Sequence, residues 1–149
     1  MTANIKTARD EIYSIFVTAW KNNADSQNVK VLFADVSSDV PVASSANSNP
    51  PPWVRISIQH TNSTQGSLSN DNGRRRWTRT GIVTVQIFTP YGTGLSLADN
   101  LAMIALGAFE GKATPSHVWF YNVRPEEIGQ DGAWFQTNVY AEFTYDEVR

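Results

Sequence analysis

Trp53-Val54-Arg55-Ile56-Ser57-Ile58-Gln59 and Gly81-Ile82-Val83-Thr84-Val85-Gln86-Ile87-Phe88 are the two stretches on which the fold turns. Val54, Ile56 and Ile58 in the first, and Val83, Val85 and Ile87 in the second, recur at every other position, with Arg55, Ser57, Thr84 and Gln86 between them. A period of two is that of a half-buried strand, one face on a core and the other polar. The second strand is predicted from about Thr78 to Phe88. Between the two lies the polar loop His60 to Trp77, and its Asn70-Asp71-Asn72-Gly73 is a strong turn signal. The pair reads as a β-hairpin with a long tip, residues 60–77 forming an extended hairpin arm.

On the N-terminal side, Ile5, Ala8, Ile12, Ile15 and Ala19 follow a spacing of four and three that stacks them on one helical face, closing near Asn22-Asn23. Tyr13, Phe16, Val17 and Trp20 widen that face beyond what a small sheet alone requires, and the excess is expected to serve packing within the fold, the alternative being that one edge meets another chain. Val29 to Phe33 is a short optional strand. Asp35 to Pro52, rich in Ser, Asn, Ala and Val and ending in three Pro, lacks the apolar surface to offset ordering and is expected to be a mobile surface loop.

On the C-terminal side Pro90, Gly92 and Gly94 break the chain, and Ser96 offers an N-cap with Asp99 in the first turn. Leu97, Leu101, Ile104 and Ala108 then make a second helix that stops at Gly111. Val118 to Val123 is an aromatic-rich strand, Gly129-Gln130-Asp131-Gly132 a turn, and Phe135, Thr137, Val139, Ala141, Phe143 and Tyr145 alternate along a final strand. The order α-(β)-β-β-α-β-β predicts a two-layer α+β fold: a mostly antiparallel sheet of four to five strands built from two hairpins, with two helices on one face.

At 149 residues the chain suits one domain, in which about two-thirds of the unfolded surface can be buried. Without Cys there is neither a disulfide framework nor a thiolate metal site, and two separate His, His60 and His117, do not make a His-rich one. The longest apolar run, Leu101 to Phe109, is far short of the roughly 20 residues of a membrane helix, and no signal-peptide pattern opens the chain. The expectation is a soluble protein made in a reducing cytoplasm, with no membrane partner. Charged residues are only 17%, replaced by 13 Ser, 13 Thr and 12 Asn, and the net charge is −2. Such a surface permits self-association.

No G-x-S-x-G, H-E-x-x-H or Gly-rich phosphate loop is present, so neither catalytic nor metal-ligating or cofactor-binding residues are expected, and the chain reads as a non-enzyme. Its one concentrated charge feature is Gly73-Arg74-Arg75-Arg76-Trp77-Thr78-Arg79. Residues 53–79 hold five Arg (Arg55, Arg74, Arg75, Arg76, Arg79) against Asp71, and residues 126–149 hold Glu126, Glu127, Asp131, Glu142, Asp146 and Glu147 against Arg149. The chain is near-neutral but polarised. The Arg cluster is a solvated hairpin flank, or pairs with the acidic C-terminal region of a neighbouring subunit or partner, or contacts nucleic-acid phosphates with Trp77 stacking on bases. The pI of about 5.6 weakens the last as a main function.

The order of these pieces is familiar. The N-terminal helix, the loop closing on Pro52-Trp53-Val54-Arg55, the Arg-bearing arm feeding Gly81 to Phe88, then Pro90-Tyr91-Gly92-Thr93-Gly94 and a helix, and the ending Trp134-Phe135-Gln136-Thr137-Asn138-Val139 running to Asp146, resemble the tail terminator-like proteins of long-tailed bacteriophages. The resemblance spans about residues 4–147 and treats residues 1–149 as a single domain. It implies a structural virion protein, made in the host cytoplasm, whose subunits form a ring, usually of six. The ring caps the head-proximal end of the tail tube, halts its polymerisation, docks the head-tail connector protein and lets DNA pass during ejection. The family brings no catalytic residues or cofactor. The subunit or partner interface expected on this basis comprises Arg55, Arg74, Arg75, Arg76, Trp77 and Arg79 with Glu126, Glu127, Asp146 and Glu147. The rival readings are another tail completion or head-tail connector component, and a small nucleic-acid-binding module using Arg74 to Arg79.

Overall fold

The computed structural model describes residues 3–34, 36, 51–67 and 73–149. Helix α1 (Ile5–Lys21) begins where Asn4 accepts a 2.8 Å hydrogen bond from the Thr7 amide, a side-chain N-cap, and it buries Ala8, Ile12, Phe16 and Trp20. The chain returns through a turn held by the Ser26 hydroxyl, which donates to the Trp20 carbonyl at 2.6 Å, while the Trp20 indole donates to the Val29 carbonyl. There follow β1 (Lys30–Phe33), β2 (Trp53–Gln65), β3 (Arg76–Pro90), α2 (Ser96–Phe109), β4 (Trp119–Asp131) and β5 (Trp134–Val148).

The five strands form one sheet in the order β1-β2-β3-β5-β4. It is antiparallel except at one edge, where β1 runs parallel to β2. Both helices lie on one face, so the fold is α+β, as the element order predicts. Val54, Ile56 and Ile58 of β2, Val83, Val85 and Ile87 of β3, and Val139, Ala141, Phe143 and Tyr145 of β5 point to that face and form the core with α1 and α2. Phe16 of α1 packs in line with Trp20 and with Phe109 of α2, which meets Phe120 of β4 at a centroid distance of 5.0 Å, tying both helices to the far edge of the sheet. No helix among the described residues is long and apolar enough to cross a membrane.

The helix-free face is polar for most of its width. Gln136 donates to Asn138 and Asn138 to the Tyr140 hydroxyl, both at 2.9 Å, and the Arg124 guanidinium sits 5.2 Å above the Tyr140 ring while pairing with Glu142. At one end this face carries a small apolar cluster of Leu32, Trp53 and Phe88 with Trp134 against it, the Trp53 and Phe88 rings stacked 4.1 Å apart.

Several boundaries differ from expectation. His60 to Trp77 is not a loop throughout: β2 continues to Gln65 and β3 starts at Arg76, paired across a bulge between His60 and Asn62. Ser96 is not the N-cap of α2; Leu95 occupies that position without a side-chain cap bond, and Ser96 is the first helical residue. Gly129 to Asp131 belong to β4, whose hairpin turn is only Gly132-Ala133. The expected mobile loop 35–52 and the expected turn at Asn70 to Asn72 lie, but for Val36, Pro51, Pro52 and Gly73, outside the described residues.

Candidate functional site

The strands that build the core do not end with it. Beyond His60, residues Thr61 to Gln65 are exposed on both sides; past the bulge at Thr61, Asn62 to Gln65 remain paired with Trp77 to Thr80, which pair in turn with Thr144 to Glu147. The ladder is prolonged by Arg75 and Arg149, which exchange backbone hydrogen bonds of 2.8 and 3.0 Å. The arm is therefore three strands wide, with β5 as its third.

Strand alternation divides the Arg cluster between two faces. Arg76 and Thr78 point to the helix-free side, where the Thr78 hydroxyl donates to Asp146 at 2.8 Å and Arg76 lies 3.9 Å from the same carboxylate. Trp77 and Arg79 point to the other side. There the Arg79 Nε is 3.1 Å from Glu147 Oε1, its guanidinium also donates to Ser63, and it lies 5.9 Å from the Trp77 ring centre. Glu147 is only 8% exposed, and its second oxygen is 3.9 Å from Arg149. Arg75, Trp77, Arg79 and Arg149 line an open cleft of about 440 Å³.

The two charge poles, expected to meet between subunits or with a partner, already meet in part within one chain. Asp146 and Glu147 are partners of Arg76 and Arg79 within one chain, because β3 and β5 are neighbours. Arg74 is exposed at the start of the arm. Arg55 is not part of this site: it sits on the helix-free face near the opposite end, with its guanidinium 5.3 Å from the Trp53 ring centre. Glu126 and Glu127 are exposed on β4, opposite Asn138 and Thr137, and also lie away from the arm.

Arg149 and Glu11 have partners that no motif singles out, and His60, at the end of the expected strand, is a hydrogen-bonded histidine as its position implies. Arg149 pairs with Glu147 at the arm. His60, where the core face passes into the arm, is linked to the Tyr145 hydroxyl by a 2.7 Å hydrogen bond and lies edge-on to Phe143. Glu11 of α1 accepts from both the Ser116 amide, at 3.0 Å, and the Ser116 hydroxyl, at 2.6 Å, pinning the segment before β4. The contacts of His60 and Glu11 carry no local signal, since Tyr145 and Ser116 stand 85 and 105 positions away in the sequence.

Burial lowers the His60 imidazole from its ordinary 6.5, and the charges of Arg9 and Arg79 act in the same direction. Burial pushes the Tyr145 hydroxyl up to about 12, with Glu147 adding to the rise and Arg79 and Arg9 opposing it. For Glu11, burial alone would raise the carboxyl, but the hydrogen bonds from Ser116 and Thr114 and the charge of His117 bring it below 4.5. The folded state thus resists protonating His60, whereas the unfolded chain takes up that proton near 6.5. Stability contributed by neutral His60 is complete above 6.5 and is lost as the pH falls through it; the loss due to Glu11 begins only below 4.5. Tm is expected to fall between about pH 7.5 and about pH 5.5, and His60→Gln to flatten that fall while leaving the steeper loss in stronger acid. Thermal melts of both proteins across the series check this; equal slopes for the two would remove His60 as the cause.

No three His, Asp or Glu side chains converge in a way that could hold a metal ion among the described residues. No family model and no curated protein matches the chain. Solved structures do, in 26 chains. One of these aligns over 93% of this chain and 92% of its own, with a TM-score of 0.64 and 12% sequence identity. At that identity the likeness shows the fold alone.

Proposed function

We propose that this chain is a structural virion protein, a tail terminator whose subunits close into a ring, of six by the family resemblance. The ring caps the head-proximal end of a phage tail tube, stops its growth and offers its free face to the head-tail connector, with DNA passing through the opening. The observation that carries this reading is the arm. It projects polar and cationic surface that the chain's own helices leave uncovered, on strands continuous with the core, as an element that reaches a neighbouring subunit must. The net charge of only −2 also leaves little self-repulsion to oppose assembly.

The test is light scattering behind a sizing column over a wide concentration range, with and without purified tail tubes. A species near six times 16.5 kDa, about 99 kDa, in solution or a ring at one end of the tubes, is the expected result. A monomer at every concentration that also ignores tubes would overturn the proposal. Binding of single-stranded DNA that weakens steeply with salt, without any oligomer, would instead favour the nucleic-acid module.

A further inference from the structure

Helix α2 leaves one large side chain bare. Met103 is 68% exposed and belongs to a groove of about 550 Å³ between α2 and β4, which Leu106 and Pro125 also line and where Asp99 and Glu127 supply carboxylates. The cleft on the arm has the complementary make-up: the indole of Trp77 among Arg75, Arg79 and Arg149, with Glu147 as the acidic counterweight. The two sites lie towards opposite ends of the sheet. The arm is built where β3 begins and β5 ends, whereas Asp99 follows the end of β3 in the first turn of α2, and Glu127 pairs with Thr137 near the start of β5.

Two different patches at opposite ends of one subunit cannot satisfy each other within the chain, but they can between copies. A contact of unlike patches is heterologous, and its repetition closes into a ring when the rotation permits. We propose that the arm of one copy docks in the α2–β4 groove of the next, Trp77 against Met103 and the guanidinium groups of the arm against Asp99 and Glu127. An aromatic ring and arginines entering a partly apolar groove make the kind of anchor that dominates interface energy. The opposite charges fix direction, because arm against arm would oppose Arg to Arg and groove against groove carboxylate to carboxylate. The inference rests on the ring reading and names the surfaces that build it.

The experiment compares the wild-type chain, Arg75→Glu, Glu127→Arg and an equimolar mixture of the two variants by sedimentation velocity, with melting curves showing that each is folded. The wild type is expected to form a closed oligomer. Each variant alone is expected to need at least about tenfold more protein to assemble. The mixture is expected to recover, because contacts between unlike variants are either native or charge-reversed but still opposite. An oligomer that forms equally well in both single variants would overturn the docking contact and leave the ring standing. Loss without recovery on mixing would also overturn the contact, and a wild type that forms no oligomer either in solution or on added tail tubes would overturn contact and ring together.

Discussion

Gly81→Ala is expected to destabilise the protein by about 3 kcal/mol or more and to lower Tm by at least about 6 °C. Gly81 lies opposite His60 on β2 and Phe143 on β5. A Cβ there would stand 2.3 Å from the Gln59 carbonyl oxygen and 2.5 and 2.8 Å from two ring atoms of Phe143. Phe143 is fully buried and stacked on Tyr145, so its ring has little room to withdraw. The carbonyl belongs to the backbone of β2, and moving it means opening the ladder beside the bulge. Gly81 is needed for the space it leaves, since its backbone is not in the left-handed region. Phe143→Leu in the Gly81→Ala background should recover only part of the loss, because the clash with the backbone stays. Gly107→Ala, on α2 where an added Cβ meets nothing within 4 Å, is the control and should gain up to about 1 kcal/mol. Urea unfolding of the four proteins measures all of this. A Gly81→Ala protein as stable as the wild type would show that the three strands are not packed as tightly here as described.

Arg79→Ala is expected to cost about 2–4 kcal/mol, more than removal of any other arginine of the cluster. Its side chain is 16% exposed and that of Glu147 only 11%. Truncation leaves a nearly buried carboxylate whose remaining cation, Arg149, is 3.9 Å away and 69% exposed. Such a pair stabilises less than its breaking costs, since both charges gave up water to form it. The double variant Arg79→Ala with Glu147→Ala should therefore lose less than the sum of the single losses, a coupling that a double-mutant cycle reads directly. The exposed pair Lys6–Asp10, with side chains 86% and 61% accessible, should show hardly any coupling. If Arg79 and Glu147 behaved like that surface pair, their role in ordering the arm would be refuted.

How much of this was legible in the sequence varied with the number of faces each element buries. β2, β3 and β5 each set an apolar row against the helices and a polar row against water, so Val54 to Ile58, Val83 to Ile87 and Val139 to Tyr145 announced themselves by alternation. α1 did the same at helical spacing. β4 is an edge strand interrupted by bulges after Tyr121 and Glu127, with Asn122 in the left-handed region at φ 51°, and its period of two is broken where it would have shown its length. The stem of the arm was hidden for a different reason: Thr61 to Gln65 have neither face covered, so no apolar side chain marks them as strand. The pairing of Thr78 with Asp146 and of Arg79 with Glu147 follows from the adjacency of β3 and β5, which places residues 68 positions apart in contact. Along the sequence they looked like separate poles; across the sheet they are neighbours.

That adjacency has a mechanical side. β3 and β5 pass without interruption from Arg76↔Val148 at the arm to Pro90↔Trp134 at the far end of the sheet. A tug on the arm along the strand direction loads that whole row of hydrogen bonds in shear, sharing the force among them, whereas a hinged appendage would yield at its root. Tension arriving at the arm from outside would be passed to the opposite end of the sheet with little slack, as through a strut rather than a tether.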